Sequence, residues 1–102
     1  MAKTKLVSKS WIPAGPYSLG IQAGNMAFLS GQIATANDGS VIGDTVQAQT
    51  EVVFDKIVEI LDEAGMTLDD IVSTTVYLQS LDDYAGMNEV YSVLMPEPYS
   101  AR

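Results

Sequence analysis

The side chains of this chain that are able to do chemistry sit in four short stretches: Gly15-Pro16-Tyr17-Ser18, Leu29-Ser30-Gly31-Gln32-Ile33, Asn88-Glu89-Val90-Tyr91 and Pro98-Tyr99-Ser100-Ala101-Arg102. The choice is narrow because the 102 residues include neither cysteine nor histidine. Composition therefore excludes thiolate catalysis, disulfides and cysteine-bound metals, and it removes the usual neutral-pH general base. Carboxylates, hydroxyls, backbone amides, a few lysines and a single arginine at position 102 remain. By residue type alone each candidate also has an ordinary reading. Tyr17 fits a strand entry, Ser30-Gly31 a bulge, Asn88 a solvated helix face, and Arg102 an unconstrained chain end.

Charge limits the partners. The formal net charge is -8, and Lys3, Lys5 and Lys9 crowd the first ten positions, so only Lys56 and Arg102 stand against the acids of the remaining chain. Such a surface repels phosphate backbones and anionic bilayers, so neither nucleic acid nor membrane is expected as a partner. No apolar run reaches the length of a membrane span, and the N-terminus MAKTKLVSKSW lacks the apolar core of a secretory signal. A cytoplasmic protein is the expectation.

The elements that must position the candidates follow from periodicity. Residues 17–33 alternate as two strands around a Gly24-Asn25 turn, and the polar Asn37-Asp38-Gly39-Ser40 turn closes the hairpin region. From Thr45 to Ala64 the period becomes helical, with Val46, Val53, Ile57, Ile60, Leu61 and Ala64 forming the apolar stripe. Asp44 or Thr45 caps its start and Gly65 its end. Thr67-Leu68-Asp69-Asp70 reads as a capped turn, and IVSTTVYL at 71–78 as a strand, with Val72, Thr74, Val76 and Leu78 on one side. A second helix starts near Ser80 with Leu81, Tyr84, Met87, Tyr91 and Leu94 as its stripe, and Pro96 and Pro98 terminate it. The order strand, strand, short strand, helix, strand, helix predicts an α+β fold: a mixed β-sheet with two helices packed on one face. A chain of this length cannot cover the other face, which points to a homo-oligomer.

Taken together, the four stretches resemble the reactive intermediate deaminase family, the Rid or YjgF-like proteins. Ala48-Gln49-Thr50, Ala64-Gly65 and Asp69-Asp70-Ile71-Val72-Ser73-Thr74-Thr75-Val76-Tyr77-Leu78 extend the likeness across nearly the whole chain. The resemblance implies a homotrimer whose sheets form an internal barrel, with a ligand cleft between subunits. It implies hydrolytic deamination of 2-imino or enamine acids to 2-keto acids and ammonia, without cofactor or metal. Carried over by residue, Arg102 and Tyr17 are the expected catalytic pair, while Arg102, Ser30, Gly31, Asn88 and Tyr84 bind the imino-acid or keto-acid ligand. The chemistry agrees, because a guanidinium holds a carboxylate in a bidentate fork that lysine cannot supply. Gly31 would admit the ligand to the backbone, Ser30 would donate a hydrogen bond, and Pro16 would set the angle of Tyr17.

Family members continue beyond this arginine with two strands, the second carrying a glutamate that positions or activates water. One Rid-like domain over residues 1–102, C-terminally truncated relative to the family, is the resulting expectation, with weakened turnover and assembly. Two other readings stay open: a non-catalytic trimer that binds small carboxylates and, less well supported, a ribonuclease or translation inhibitor.

Overall fold

The structure, a computed structural model, describes residues 2–102. Three strands, β1 (Lys3–Leu6), β2 (Gly20–Ala23) and β3 (Met26–Leu29), are followed by two helices, α1 (Val46–Glu63) and α2 (Tyr84–Leu94). The body measures 42 × 35 × 19 Å, and its short axis matches one helix layer on one sheet layer. The α+β expectation holds. All three strands pair antiparallel in the order β1-β2-β3, and the parallel component of the expected mixed sheet is a lone bridge between Ser73 and Ala101.

The β2–β3 hairpin turns at Gly24-Asn25, where Gly24 has a φ of 61° that a side chain would resist. Its register sets Ile21 opposite Phe28 and Ala23 opposite Met26. Lys5 and Lys3 oppose the same two β2 residues from the other edge, so these six side chains share one face. That face is open: Met26 is 55% and Phe28 58% exposed. The opposite face carries Leu6, Leu29 and Gly20 toward α1. β1 has no counterpart among the expected strands, because two of its four residues are lysines on the open face and only Leu6 is buried.

Helix α1 begins where Thr45 Oγ1 accepts the Ala48 amide at 3.1 Å, a cap that contributes about 1 kcal/mol. It ends at Gly65, whose φ of 68° lets Met66 N–H reach back to the Leu61 carbonyl at 3.0 Å. The helix serves two cores. Ile60 packs with Leu6 and Leu19 against the sheet, and Phe54 packs with Met87, Tyr91 and Met95 of the α2 side. Phe54 lies outside the expected stripe, yet it is the residue that carries α2, through an edge-to-face contact with Tyr91 at 5.8 Å.

The expected strand at 71–78 is corrected by the structure. The segment is extended but pairs only with the chain end, through Thr74 N–H to Ala101 O (2.8 Å) and Ala101 N–H to Val72 O (3.0 Å). Ile71 and Leu78 pack on the α2 core, while Val72, Val76 and Tyr77 are exposed. β-branched residues favour strands by fitting a pleated, half-buried surface beside neighbours, and here only the 100–101 segment supplies a neighbour. Around Ser80, Ser80 Oγ caps a 3-10 turn at Leu81–Asp83 that leads into α2, which ends at Leu94 before Pro96 as expected.

Lys56 behaves unlike the solvated lysine its acidic surroundings suggest. It is buried, donates to the Thr35 carbonyl at 2.7 Å and lies 4.4 Å from the centre of the Trp11 ring. Desolvation holds its pKa below the ordinary lysine value. The unfolded chain therefore binds this proton more tightly than the folded one, so Lys56 opposes folding at neutral pH and ceases to do so as pH rises through its lowered folded pKa. We expect Lys56→Met to be relatively most favourable near pH 7, with its advantage over the native chain shrinking toward pH 10. Denaturant midpoints across that range check this, and a gap independent of pH would contradict it.

Candidate functional site

Helix α2 places Tyr84, Met87, Asn88 and Tyr91 at spacings of three, four and seven, so they share one face. Arg102 lies over that face. Its Nη2 donates to the Tyr84 hydroxyl at 3.2 Å and its Nη1 to the Met87 sulfur at 3.9 Å. The guanidinium carbon stands 4.7 Å from the Tyr91 ring centre and 5.7 Å from that of Tyr84. These are cation–π distances, and they hold the planar group without neutralising it. The hydrogen-bond partners that the described residues give Arg102 are a phenol and a thioether, both neutral.

The charge is felt nearby. A hydrogen bond from Asn88, then the hydrogen bond and positive charge of Arg102, hold the Tyr84 phenol below the usual tyrosine pKa. The cluster is thus a guanidinium whose partners are neutral, beside an amide and a phenol held below its usual pKa. Its chemistry suits a small carboxylate.

The remaining candidates form a second group. Tyr17 is about half exposed; its hydroxyl accepts the Ala14 amide at 3.2 Å and its own amide donates to the Gly15 carbonyl at 2.8 Å. The turn at Gly15-Pro16 therefore fixes the ring at both ends. Ser30 sits just past β3, with its amide on the Leu19 carbonyl (2.9 Å) and its hydroxyl on the Ser18 carbonyl (2.6 Å). Its proton goes to a carbonyl of the chain in this structure, and its oxygen lone pairs stay available. The hydrogen bonds of this group stay within residues 14–32, whereas Tyr84 is the residue that Arg102 contacts and that Asn88 influences.

Gly31 is exposed, and a Cβ built on it would meet nothing within 4 Å. The chain's own packing does not require glycine there. We expect Gly31→Ala to leave the thermal midpoint of the subunit fold nearly unchanged, within about 0.5 kcal/mol as for other open surface sites. If a small carboxylate ligand approaches the backbone at this position, the added methyl group should weaken its binding several-fold. Unchanged binding would assign the position no contact with ligand.

Met87 escaped sequence reasoning about the site and was legible only as a member of the apolar stripe. Tyr91 stood both in that stripe and in the candidate stretch Asn88–Tyr91, but with no role beside the arginine. Their spacing from Tyr84 placed them on its face, but nothing in the sequence tells that Arg102 folds back over it.

The chain is thus a two-layer α+β fold with an open sheet face and, over helix α2, a guanidinium whose hydrogen-bond partners among the described residues are neutral. A family profile described as Endoribonuclease L-PSP matches residues 8–102. The chain belongs to this family, which includes the YjgF and Rid proteins. It is 36% identical over 102 residues to the mitochondrial protein mmf2 of Schizosaccharomyces pombe, spanning 100% of this chain and 80% of that protein. It is 34% identical over 97 residues to the 2-iminobutanoate/2-iminopropanoate deaminase of Escherichia coli, covering 95% of this chain and 76% of the relative. The crystal structure of RidA from an Antarctic Psychrobacter superposes with a TM-score of 0.89 at 34% identity, over 97% of this chain and 81% of that one.

Proposed function

We propose that this protein hydrolyses reactive 2-imino acids to 2-keto acids and ammonia, at a cleft completed between subunits of a homotrimer. The observation that carries the reading is Arg102, whose guanidinium is held over two rings with only neutral partners. Bound there, a 2-imino acid has its carboxylate in the arginine fork and its imine carbon fixed relative to the α2 face. Water adds to that carbon, forming a C–O bond while the C=N π electrons move to nitrogen. The nitrogen then takes up a proton and leaves as ammonia as the carbinolamine hydroxyl collapses to the ketone. The Tyr84 hydroxyl, which accepts a hydrogen bond from the guanidinium and is held below the usual tyrosine pKa, relays the proton between water and nitrogen in this reading. No cofactor is needed for these steps.

Two features support association into such an oligomer. The sheet face bearing Met26 and Phe28 is uncovered, and among the described residues the two groups of candidates share no hydrogen bond. A neighbouring subunit that covers the face brings Tyr17, Ser30 and Gly31 of one chain toward Arg102 of the next. We place the protein in the cytoplasm on the same footing as its other expected properties, as one domain over residues 1–102. No helix among the described residues is long and apolar enough to cross a membrane. The S. pombe relative is mitochondrial by name, which makes a targeted form an alternative for this chain also.

A second reading is favoured by one observation: neither carboxylate nor imidazole hydrogen-bonds at Arg102 among the described residues, so a base strong at neutral pH is not evident there. In that case the site binds small carboxylates without turnover. The nuclease named in the family description fits this chain less well, since a net charge of -8 and the lack of histidine leave little to bind or cleave a phosphodiester. The test is ammonia and pyruvate release from freshly generated 2-iminopropanoate. Acceleration over buffer supports the deaminase; saturable pyruvate binding without acceleration establishes the second reading instead.

A further inference from the structure

Thr74, Tyr91 and Ser100 bring three hydroxyl groups together behind the proposed site. Tyr91 OH and Ser100 Oγ lie 2.8 Å apart, Thr74 Oγ1 and Tyr91 OH 3.1 Å, and Thr74 Oγ1 and Ser100 Oγ 3.2 Å. Each hydroxyl has one proton to give and can accept, so three at mutual hydrogen-bond distance can satisfy one another in a closed ring. Thr74 also lies 3.4 Å from the Ala101 carbonyl, a longer alternative acceptor. The three residues come from three different parts of the fold: the extended 71–78 segment, helix α2 and the chain end.

We infer that Tyr91, clamped through its hydroxyl by Thr74 and Ser100, is the positioning residue for Arg102. The inference rests on the reading of Arg102 as the group that takes the substrate carboxylate. Tyr91 acts at both of its ends. Its hydroxyl fixes Ser100, and the backbone pairing of Ala101 with Val72 and Thr74 carries that constraint one residue further. Arg102 then emerges over the face of the same ring, with its guanidinium carbon 4.7 Å from the ring centre. The ring itself cannot drift, because it is 7% exposed and stands edge-to-face on Phe54. One buried side chain thereby ties the direction of the arginine to the packed interface of α1 and α2. A misplacement of about 1 Å at a reacting group can cost on the order of 100-fold in rate, so such a clamp has kinetic weight.

The hydroxyl and the ring have separable roles. Tyr91→Phe keeps the packing volume and the cation–π face but opens the clamp, and Ser100→Ala opens it without touching the core. Tyr99, whose hydroxyl donates to the Ser92 carbonyl at 2.9 Å, still holds the segment in both variants, so its precise placement is lost rather than its attachment.

Because Arg102 is the only arginine, its Nε–H gives a single assignable resonance in a 15N spectrum of the native chain. We expect Tyr91→Phe and Ser100→Ala to move this resonance toward the position of free arginine, with the thermal midpoint little changed. The KM for 2-iminopropanoate, and the dissociation constant of pyruvate, should rise about tenfold, and kcat should fall with them because the imine carbon is held less firmly. In an Arg102→Ala background neither substitution should alter the residual kcat/KM. An Nε resonance and KM that stay native overturn the inference, and so does the same proportional loss in both backgrounds. If the native protein releases no ammonia, the deaminase reading fails separately, while the Nε resonance and pyruvate binding still decide the role of Tyr91. Failure of pyruvate to bind at all overturns both.

Discussion

Arg102→Ala is expected to lower kcat/KM for 2-iminopropanoate by about 100-fold. The reason is the absence of any substitute: this is the only arginine, and of the lysines Lys56 is buried against Trp11 while the others lie in the first ten residues. A bidentate carboxylate pair loses two charge-assisted hydrogen bonds together when the guanidinium goes, at about 1.5–3 kcal/mol each in favourable settings. Because the same fork fixes the imine carbon for attack in the proposed mechanism, kcat as well as KM should suffer. Arg102→Lys keeps the charge but loses the planar fork and the stacking on Tyr91, and should recover about a tenth of native activity. Stability should hardly move, since Arg102 is exposed and its partners are a phenol and a thioether. Steady-state rates and pyruvate titrations of the three proteins suffice. Equal kcat/KM for native and alanine forms would remove Arg102 from the mechanism.

The second large effect concerns the fold that holds the site. Ile60→Ala should cost about 3–4 kcal/mol, within the range for deleting buried aliphatic groups. Ile60 is fully buried, and its neighbours Leu6 and Leu19 come from the N-terminal strand and the approach to β2, so they have little freedom to collapse into the space. A small domain has roughly 5–15 kcal/mol in total, so such a loss would lower the thermal midpoint by on the order of 15 °C or more. Val58, on the same helix but 45% exposed, provides the contrast, and its alanine variant should lose less than about 1 kcal/mol. Gly20 offers a check on the mechanism. A Cβ there would stand 3.0 Å from Ile60 Cγ2 and 3.2 Å from Leu6 Cδ1, so Gly20→Ala is crowded in the native core. In the Ile60→Ala background the same methyl group enters the vacated space, and the double variant should be more stable than the sum of the single changes predicts. Calorimetry of the four proteins tests this; strict additivity would mean that the two positions do not share the cavity.

The features that the sequence predicted well are those whose signals are local. The Gly24-Asn25 hairpin, the Thr45 cap, the left-handed Gly65 and the Thr67 to Asp70 capping box each depend on residues within a few positions of one another. The 71–78 strand failed for the opposite reason. IVSTTVYL has every local attribute of a strand, but a strand exists only where another backbone lies alongside, and here that is little more than Ala101. β1 was missed because alternation is hard to see in Lys-Thr-Lys-Leu, where a single residue is buried.

The site divides along the same line. Its candidates were legible, through the absence of histidine and cysteine, the single arginine and the family likeness of the blocks that contain Tyr17, Ser30, Gly31, Asn88 and Arg102. By itself the sequence determined which functional groups exist, which helices and turns form, and that the surface repels polyanions, because composition and short-range periodicity are properties of the chain as written. Only the tertiary structure decided that Arg102 folds back onto Tyr84, Met87 and Tyr91, that the Ser30 proton is used internally, and that Lys56 is buried. These outcomes depend on contacts between residues distant along the chain, such as Lys56 with Thr35 or Thr74 with Ser100, and the free energy of a contact is fixed by what else surrounds it.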